Sequence, residues 1–199
     1  MNRTTADKSD ARSRMITAAF DLFHQKGVSA TSVDEILAHS GTGKSQFSHY
    51  FKNKEGLLHA CLQHFLDQLK NGQLPVNYEL DNWEDLEAWF GFFIGFQNNT
   101  ACRRGCPVAT IASDLEAHSE VIRQDLKMVS DFTQTKLARF FDKMKARGAL
   151  SAAADPDALA DYCYSIMQGG LAISKMNGNT AAFERAVAQA MTHLRALSP

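Results

Sequence analysis

The sequence is poor in the features that define several large classes of protein. Its 199 residues include only 4 cysteines and 4 prolines, too few for a disulfide-stapled scaffold or a proline-rich disordered chain. No stretch approaches the roughly 18 apolar residues of a membrane span, and the polar start, Met1–Arg14, lacks the apolar core of a signal peptide. With 45% hydrophobic residues, we expect a soluble, cytoplasmic protein of one or two domains.

An excess of charge of one sign is also missing, since the formal net charge is −1. This balance argues against a protein that coats nucleic acid over its whole surface. Residues 1–60 nevertheless contain eight Lys or Arg against six Asp or Glu, and four of the seven histidines, whereas the remainder contains 13 Lys or Arg against 16 Asp or Glu. We therefore expect the first 60 residues to face any anionic partner.

Apolar residues recur at helical spacing through most of the chain, as in Ile16, Ala19, Phe20 and Phe23. Local signals for helix starts and stops separate these segments, and no convincing strand pattern or tandem repeat interrupts them. The fold class predicted from this pattern is all-α with about nine helices. The residues that mark the predicted boundaries include Gly27, Ser32, Glu35, Asn53, Pro107, Gly148, Asp155 and Gly178.

Two short segments joined by a tight turn at Ser40-Gly41 have the pattern of a helix-turn-helix. The second segment has two different sides, because successive helical residues are 100° apart. Phe47, Tyr50 and Phe51 fall on one side, and small polar residues occupy the other. A DNA-reading helix needs this division, with one side packed on a core and the other free to enter a groove. The polar side consists of Lys44, Ser45, Gln46, Ser48 and His49.

These polar residues suit the chemistry of DNA. Gln46 can bridge N6 and N7 of an adenine, and the serines can approach either strand. Lys44 and Lys54 can meet phosphates, and the segment before the turn begins with Thr31 and Ser32, whose hydroxyl or N–H groups can also bind a phosphate. On periodicity alone, a core helix with a polar outer face explains the pattern about equally well. The DNA-binding candidates are Thr31, Ser32, Lys44, Ser45, Gln46, Ser48, His49, Tyr50 and Lys54.

The run SGTGKSQFSHYF at residues 40–51, continuing as NKEGLL at residues 53–58, resembles the TetR family of bacterial transcriptional regulators. The motif ITAAF at residues 16–20, followed by Gly27 and by TSV at residues 31–33, also matches. The most specific part is His-Tyr-Phe followed by Lys-Glu. Three positions depart from the usual family pattern, because Ser45, Gln46 and Ser48 stand where Gly, Thr and Tyr are common.

The resemblance implies a flexible arm over residues 1–11, a helix-turn-helix DNA-binding domain over 12–60 and a ligand-binding and dimerisation domain over 61–199. It further implies a homodimeric repressor on near-palindromic double-stranded operator DNA, released by a small-molecule effector. Coupling would run through the helix that begins at Asn53-Lys54, and the last two helices would pair across a two-fold axis. The interface candidates are Tyr162, Ser165, Ile166, Gly169, Phe183, Val187, Ala190, Met191 and Leu194.

The second part of the chain contains the residues expected to meet an effector. From Trp83 to Phe96 the apolar residues fall on more than one helix face, which is typical of a helix that is buried on several sides or lines a cavity. Most such residues belong to a core, and a minority touch ligand. His118 and Gln168 are polar candidates for the same region. The ligand-binding candidates are Trp89, Phe93, Phe96, Cys106, Met128, Phe132, Tyr162 and Met167.

Cys106 follows two arginines and opens a predicted helix, where the helix dipole favours a thiolate. It is either a sensor of electrophiles or oxidants, or a small apolar residue that packs. Cys102 and Cys106 are spaced so that, on one helix, both thiols could bind a metal ion. Gly105 and Pro107 break the helix that such a pair needs, so no metal or other cofactor is expected. No catalytic motif is present, and we expect a non-enzyme. The alternative is a thiol-based enzyme or ligand carrier on a helical fold.

Overall fold

The computed structural model describes residues 5–114 and 120–198, and all of its regular secondary structure there is helical. Nine α-helices lie in these ranges, which confirms the predicted all-α fold. In chain order they are α1 (Thr5–Lys26), α2 (Val33–Ser40), α3 (Lys44–Phe51), α4 (Lys54–Lys70), α5 (Trp83–Asn99), α6 (Pro107–Ser113), α7 (Glu120–Ala146), α8 (Pro156–Asn177) and α9 (Ala181–Arg195).

The helix ends coincide with capping signals in the sequence. Ser32 Oγ accepts a hydrogen bond from the Glu35 N–H at 3.2 Å and so caps α2. Gly41 ends the same helix with φ +62°, a left-handed conformation that glycine adopts without steric cost. Asn53 Oδ1 caps α4 by accepting from the Gly56 N–H at 2.8 Å. The predicted pocket residue His118 lies outside the described residues.

Contacts within the chain define two compact units. One comprises the residues up to Asn71 together with Pro107–Val129, and the other comprises Gly72–Cys106 together with the residues from Ser130 onwards. The predicted boundary between residues 60 and 61 placed α6 in the second domain, whereas these contacts group α6 with the first unit. The reason is that α6 packs against α1, a pairing between distant segments that helical periodicity does not reveal.

The first unit is organised around α1, which contacts α2, α3, α4 and α6. α1 begins at Thr5, so residues 5–11 are helical where the sequence analysis predicted a flexible arm. No glycine or proline interrupts the chain before Gly27, and residues such as Ala, Lys and Arg favour the helix there. The buried side chains that α1 contributes are Ala11, Met15, Ile16, Ala19, Leu22 and Phe23.

The second unit consists of α5, α8, α9 and the part of α7 from Ser130. α8 packs against α9 and α5, and α5 also packs against α9. Gly170 of α8 lies directly against α9, because a Cβ atom there would overlap the ring of Phe183. The central core residues of this unit include Leu86, Trp89, Phe90, Phe140, Phe141, Met167, Leu171, Phe183 and Leu194. Within the described ranges, no helix has the length and apolar composition that crossing a membrane requires.

Candidate functional site

The turn between α2 and α3 is fixed by hydrogen bonds. Arg14 Nε in α1 donates to the Ser40 carbonyl at 3.0 Å, which satisfies the end of α2. The hydroxyls of Ser40 and Thr42 lie 2.7 Å apart, and the Thr42 N–H donates to the Leu37 carbonyl at 3.1 Å. The two helices are therefore held at a defined angle to each other.

One side of α3 is anchored to the first unit. Phe47 is 7% exposed and Phe51 is 5% exposed, and their ring centroids lie 6.0 Å apart. The Arg12 guanidinium carbon lies 5.7 Å from the centre of the Phe51 ring, close enough for a cation–π interaction. α3 contacts α1, α2 and α4, so its inner side has neighbours from three helices.

The connection from α3 to α4 is unusually tight. Lys52 has φ +65°, a backbone conformation that residues other than glycine seldom adopt. The Asn53 N–H donates to the Phe51 carbonyl at 2.7 Å, which closes a γ-turn. Gly56 lies against the same carbonyl, and a Cβ atom at Gly56 would overlap the Phe51 oxygen. The end of α3 is thus fixed directly on the first turn of α4.

The outward side of α3 presents the predicted polar residues. Lys44, Ser45, Ser48 and His49 are exposed, and Gln46 is half-buried. Gln46 Oε1 accepts from the Gly43 N–H at 3.2 Å, so its amide nitrogen remains available to donate. The outward side can therefore offer hydroxyl, amide and imidazole groups to base edges.

Two further candidates border this side. Tyr50 is half-buried, and its ring lies 5.1 Å from that of His49 in an edge-on arrangement. Lys44 Nζ pairs with Asp34 Oδ1 of α2 at 2.9 Å, and both side chains are mostly exposed. Such an exposed ion pair is weak, and the Lys44 ammonium can exchange Asp34 for a phosphate.

Two predicted DNA contacts bind backbone carbonyls of their own chain. Thr31 is 1% exposed, and its hydroxyl donates to the Gly27 carbonyl at 2.7 Å, so it cannot reach a phosphate. Lys54 is half-buried, and its Nζ donates to the carbonyls of Val28 and Thr31 at 2.8 and 3.0 Å. Both residues hold the loop before α2, whereas Ser32 is exposed as predicted for a phosphate contact.

The predicted ligand-binding residues separate into three groups. Trp89 and Met167 are 1% and 3% exposed and belong to the core of the second unit. Met128 is 41% exposed and lies in the first unit, and Tyr162 is 37% exposed, so neither lines an interior pocket. Both side chains are partly exposed to solvent, whereas the other candidates are buried or half-buried. The half-buried candidates that pack against the core of the second unit are Phe93, Phe96 and Cys106.

Phe132, the remaining ligand-binding candidate, is half-buried and borders a polar cluster that sequence reasoning largely missed. Its ring meets that of Tyr78 edge-on at 5.3 Å. The Tyr78 and Thr133 hydroxyls lie 3.3 Å apart. Tyr78 lies in the connection between α4 and α5, and only its isolated aromatic character there could have signalled its role.

A second phenol completes the cluster. The Tyr164 hydroxyl donates to Ser130 Oγ at 3.0 Å and accepts from Gln168 Nε2 at 2.8 Å. Burial raises the pKa of Tyr78 to about 12, and it also raises the pKa of Tyr164. Cys106 packs against the same core as the two phenols. Both phenols remain neutral near pH 7 and serve as hydrogen-bonding groups.

Several buried polar atoms in the second unit have no hydrogen-bond partner among the described residues. They are Trp89 Nε1, Gln97 Oε1, Gln168 Oε1 and Ser174 Oγ. An unpaired buried polar group is costly, and a bound polar molecule or water can relieve that cost. Among residues 5–114 and 120–198, no cluster of three His, Cys, Asp or Glu has the arrangement of a metal site.

The predicted dimer residues lie on two different surfaces. The five in α9 are between 0% and 7% exposed and face the core of their own chain, so they offer no surface to a partner. This corrects the α9 assignment. On α8, by contrast, Tyr162, Ser165 and Gly169 are exposed and Ile166 is half-buried. The corrected α9 residues are Phe183, Val187, Ala190, Met191 and Leu194.

The exposed side of α8 continues beyond the predicted residues. Ile173 is 38% exposed and Met176 is 72% exposed, and sequence reasoning missed both. Tyr162, Gly169 and Met176 are seven residues apart in turn, which places them along one side of the helix. We call Tyr162, Ser165, Ile166, Gly169, Ile173 and Met176 the α8 stripe. Their spacing with the exposed apolar side chains could have indicated this surface from the sequence.

Family models match most of the chain. The model described as bacterial regulatory proteins, tetR family, matches residues 15–61. The model described as tetracyclin repressor-like, C-terminal domain, matches residues 83–190. The first match contains the helix-turn-helix, and the second contains α8 and most of α9.

Curated relatives extend over most of the chain. The chain is 32% identical to the transcriptional regulator AcuR of Cereibacter sphaeroides over 186 residues, which covers 87% of this chain and 80% of that protein. It is 22% identical to the transcriptional repressor DhaR of a Mycobacterium species, with 86% of each chain covered.

Solved structures share the fold. A regulatory protein TetR from Rhodobacter sphaeroides superposes with a TM-score of 0.81 at 26% identity, covering 92% of this chain and 98% of that one. The reduced form of Escherichia coli NemR superposes with a TM-score of 0.80 at 18% identity, covering 95% of this chain and 99% of that one. At this lower identity the second likeness concerns the fold alone.

Proposed function

Because the chain belongs to the TetR family of bacterial transcriptional regulators, we propose that it is a homodimeric repressor of transcription. Each subunit inserts α3 into a major groove, and the two-fold axis of the dimer makes the operator a near-palindrome. The observation that carries this proposal is the division of α3, with Phe47 and Phe51 anchored and the polar side outward. Relatives that are named as repressors support the sign of regulation.

Base recognition and backbone contact fall to different residues of this surface. Gln46 reads a base through its free amide nitrogen, and Ser45, Ser48 and His49 reach neighbouring base edges. Lys44 leaves Asp34 to meet a phosphate. Ser32 at the start of α2 adds a phosphate contact through its exposed hydroxyl.

The α8 stripe supports the dimer. It exposes a row of apolar and small side chains on a helix whose other sides pack within the chain. Tyr162 also contacts the ring of His193 in α9, with centroids 5.8 Å apart, so α8 and α9 present neighbouring surfaces. Pairing these two helices with their copies across a two-fold axis forms a four-helix bundle.

The effector region lies in the second unit. Phe93, Phe96 and Phe132 supply half-buried apolar surface. The Tyr78–Tyr164 cluster supplies neutral polar groups, and Cys106 packs against the same core. These groups suit a small apolar or electrophilic molecule. An effector that favours an arrangement incompatible with DNA weakens DNA binding by the same factor as DNA weakens effector binding.

A binding assay with DNA from upstream of its own gene tests the proposal. The wild-type protein should bind a near-palindromic site, with an affinity that falls steeply as salt concentration rises. Gln46→Ala should lose roughly 1–3 kcal/mol of discrimination at one base-pair position, because it removes the base-reading amide. Gln73→Ala, which makes the same change at an exposed site after α4, should bind like wild type. Salt-insensitive binding, or equal losses for both variants, would contradict the proposal.

The dimer has its own test. Met176→Glu places a charge on the α8 stripe and should reduce the sedimentation mass from twice the 22.0 kDa of one chain towards that of a monomer. Val121→Glu is the control, because Val121 is an exposed apolar residue of the first unit. A wild-type protein that sediments as a monomer at micromolar concentration would reject the homodimer.

A further inference from the structure

The loop between α1 and α2 is held by side chains from two other helices. The Ser29 N–H donates to Asp114 Oδ2 at 3.1 Å, and Asp114 directly follows α6. Lys54 Nζ, at the start of α4, donates to the Val28 and Thr31 carbonyls at 2.8 and 3.0 Å. A carboxylate and an ammonium group therefore bind peptide groups of one short loop.

Gly27 leaves the space that the Asp114 carboxylate occupies. A Cβ atom at Gly27 would overlap Asp114 Oδ2, and Gly27 also has φ +89°. Glycine is needed here for two separate reasons, since the backbone is left-handed and the carboxylate fills the place of a side chain. The loop is shaped around the end of α6.

This loop determines where α2 begins. Ser29 and Ala30 are exposed, so polar contacts rather than burial hold their part of the loop in place. Thr31 is buried and Ser32 then caps α2. Since the turn at Ser40 and Thr42 fixes α3 relative to α2, a shift of the loop changes the position of α3.

We propose that Asp114 is a positioning residue for DNA binding. Its carboxylate holds the α1–α2 loop and thereby sets the position of the outward side of α3, without touching DNA itself. This inference rests on the proposed function, because it concerns the same DNA-binding surface. It also predicts an unusual sign: a negative side chain in a unit that binds phosphate supports binding instead of opposing it.

The main test is the operator affinity of Asp114→Ala. Loss of a hydrogen bond to a charged group should weaken binding by about tenfold. Removal of a negative charge by itself would strengthen binding to DNA, so the direction of the change separates positioning from simple electrostatics. Asp67→Ala is the matched control, because Asp67 is exposed on α4 of the same unit. That variant should bind at least as tightly as wild type.

Two further variants separate positioning from general damage to the fold. Asp114→Asn keeps an oxygen acceptor for the Ser29 N–H and should restore most of the affinity. Gly27→Ala should lose more affinity in the wild-type background than in Asp114→Ala, because the overlap with the carboxylate exists only in the first. All affinities are measured at a temperature where circular dichroism shows full helicity.

The outcomes distinguish this inference from the proposed function. If the wild-type protein binds no operator, the proposed function fails. If the wild type binds and Asp114→Ala binds as tightly, or if the Gly27 and Asp114 losses are additive, the positioning role is overturned. If Asp114→Ala is unfolded at every usable temperature, Asp114→Asn decides, because it removes the charge and keeps the acceptor. An affinity near that of wild type supports the role, whereas binding that is clearly tighter, as electrostatics alone predicts, or a tenfold loss in that folded variant rejects it.

Discussion

At the residue scale, the junction between α3 and α4 requires a residue without a side chain at position 56. Gly56 lies in the first turn of α4 against the Phe51 carbonyl, and a Cβ atom would overlap that oxygen. The oxygen also accepts the Asn53 N–H at 2.7 Å, so it cannot move without opening the turn. The orientation of α3 is thus coupled to the start of α4 through backbone atoms.

Gly56→Ala should therefore reduce both stability and DNA affinity. Forcing a methyl group against a fixed carbonyl typically costs roughly 1–3 kcal/mol of unfolding free energy. The relaxation that limits this cost moves the end of α3 and so misplaces its polar side. Denaturant unfolding and operator titration measure the two effects.

Gly91→Ala is the control for this substitution. Gly91 is exposed in the interior of α5, and a Cβ atom there would meet no other group within 4 Å. Alanine is a better helix former by about 0.8–1 kcal/mol, so this variant should gain stability. If the two substitutions change the unfolding free energy alike, the contact between Gly56 and Phe51 does not constrain the junction.

The sequence predicts the exposure of single residues where helical periodicity alone determines which side of a helix they lie on. The exposure of Ser45, Ser48 and His49 follows from the 100° step and the anchoring aromatics. Periodicity did not reveal the partners of Lys54, because they are carbonyls of Val28 and Thr31, more than 20 residues earlier in the chain. A cation near a DNA-binding motif looks the same in the sequence whether it faces phosphate or holds a loop.

At the scale of elements, α8 and α9 show why an apolar stripe does not identify a dimer interface. The apolar side of α9 is the regular one, and it packs on its own chain, as Phe183 and Leu194 show with 0% exposure. The α8 stripe mixes Gly169 and Ser165 with larger apolar residues, so its periodicity is weaker. The most regular apolar side of a helix therefore indicates packing within the chain and not an interface with a partner.

The packing of α8 on α9 provides a prediction for the second unit. Gly170→Ala should lower its stability by roughly 1–3 kcal/mol, because a Cβ atom would overlap the Phe183 ring. In a Phe183→Leu background the same change should cost much less, since leucine is more flexible and shorter. A double-mutant cycle of unfolding free energies measures the difference.

The neighbouring glycine provides the matched control. Gly169 is exposed, and nothing lies within 4 Å of a Cβ atom built there. Gly169→Ala should leave the folding of the second unit intact or improve it through helix propensity. Equal losses at Gly169 and Gly170, or a loss at Gly170 that Phe183→Leu does not reduce, would show that this approach of α8 and α9 is not tight.

At the scale of the whole molecule, the order of helices could be predicted and their grouping could not. Helix boundaries depend on neighbouring residues such as Ser32 and Glu35, which the sequence displays directly. α6 packs against α1, and the hydrogen bond between Ser29 and Asp114 beside it joins residues that are 85 positions apart. The polar cluster of the second unit likewise joins Tyr78 to Thr133, 55 residues later.

Two buried thiols make the stability of the folded chain depend on pH. Cys61 and Cys163 are 1% and 0% exposed. Burial raises the pKa of both thiols, and that of Cys163 reaches about 12 from an ordinary value of 9.0. Unfolding exposes the thiols and returns their pKa values to the ordinary range, so alkaline solution favours the unfolded chain.

The sign of the resulting pH dependence follows from the raised pKa in the folded state. The contribution of Cys163 to stability is complete below pH 9 and is lost as the pH rises from 9 towards 12. Between pH 8 and pH 10 this thiol should remove about 1 kcal/mol of unfolding free energy. Cys163→Ala should flatten the decline by that amount, as measured by denaturant unfolding at the two pH values. Leu171→Val changes packing without removing a titrating group, so it should lower the unfolding free energy equally at the two pH values. A decline that is unchanged in Cys163→Ala would mean that this thiol already ionises in the folded chain.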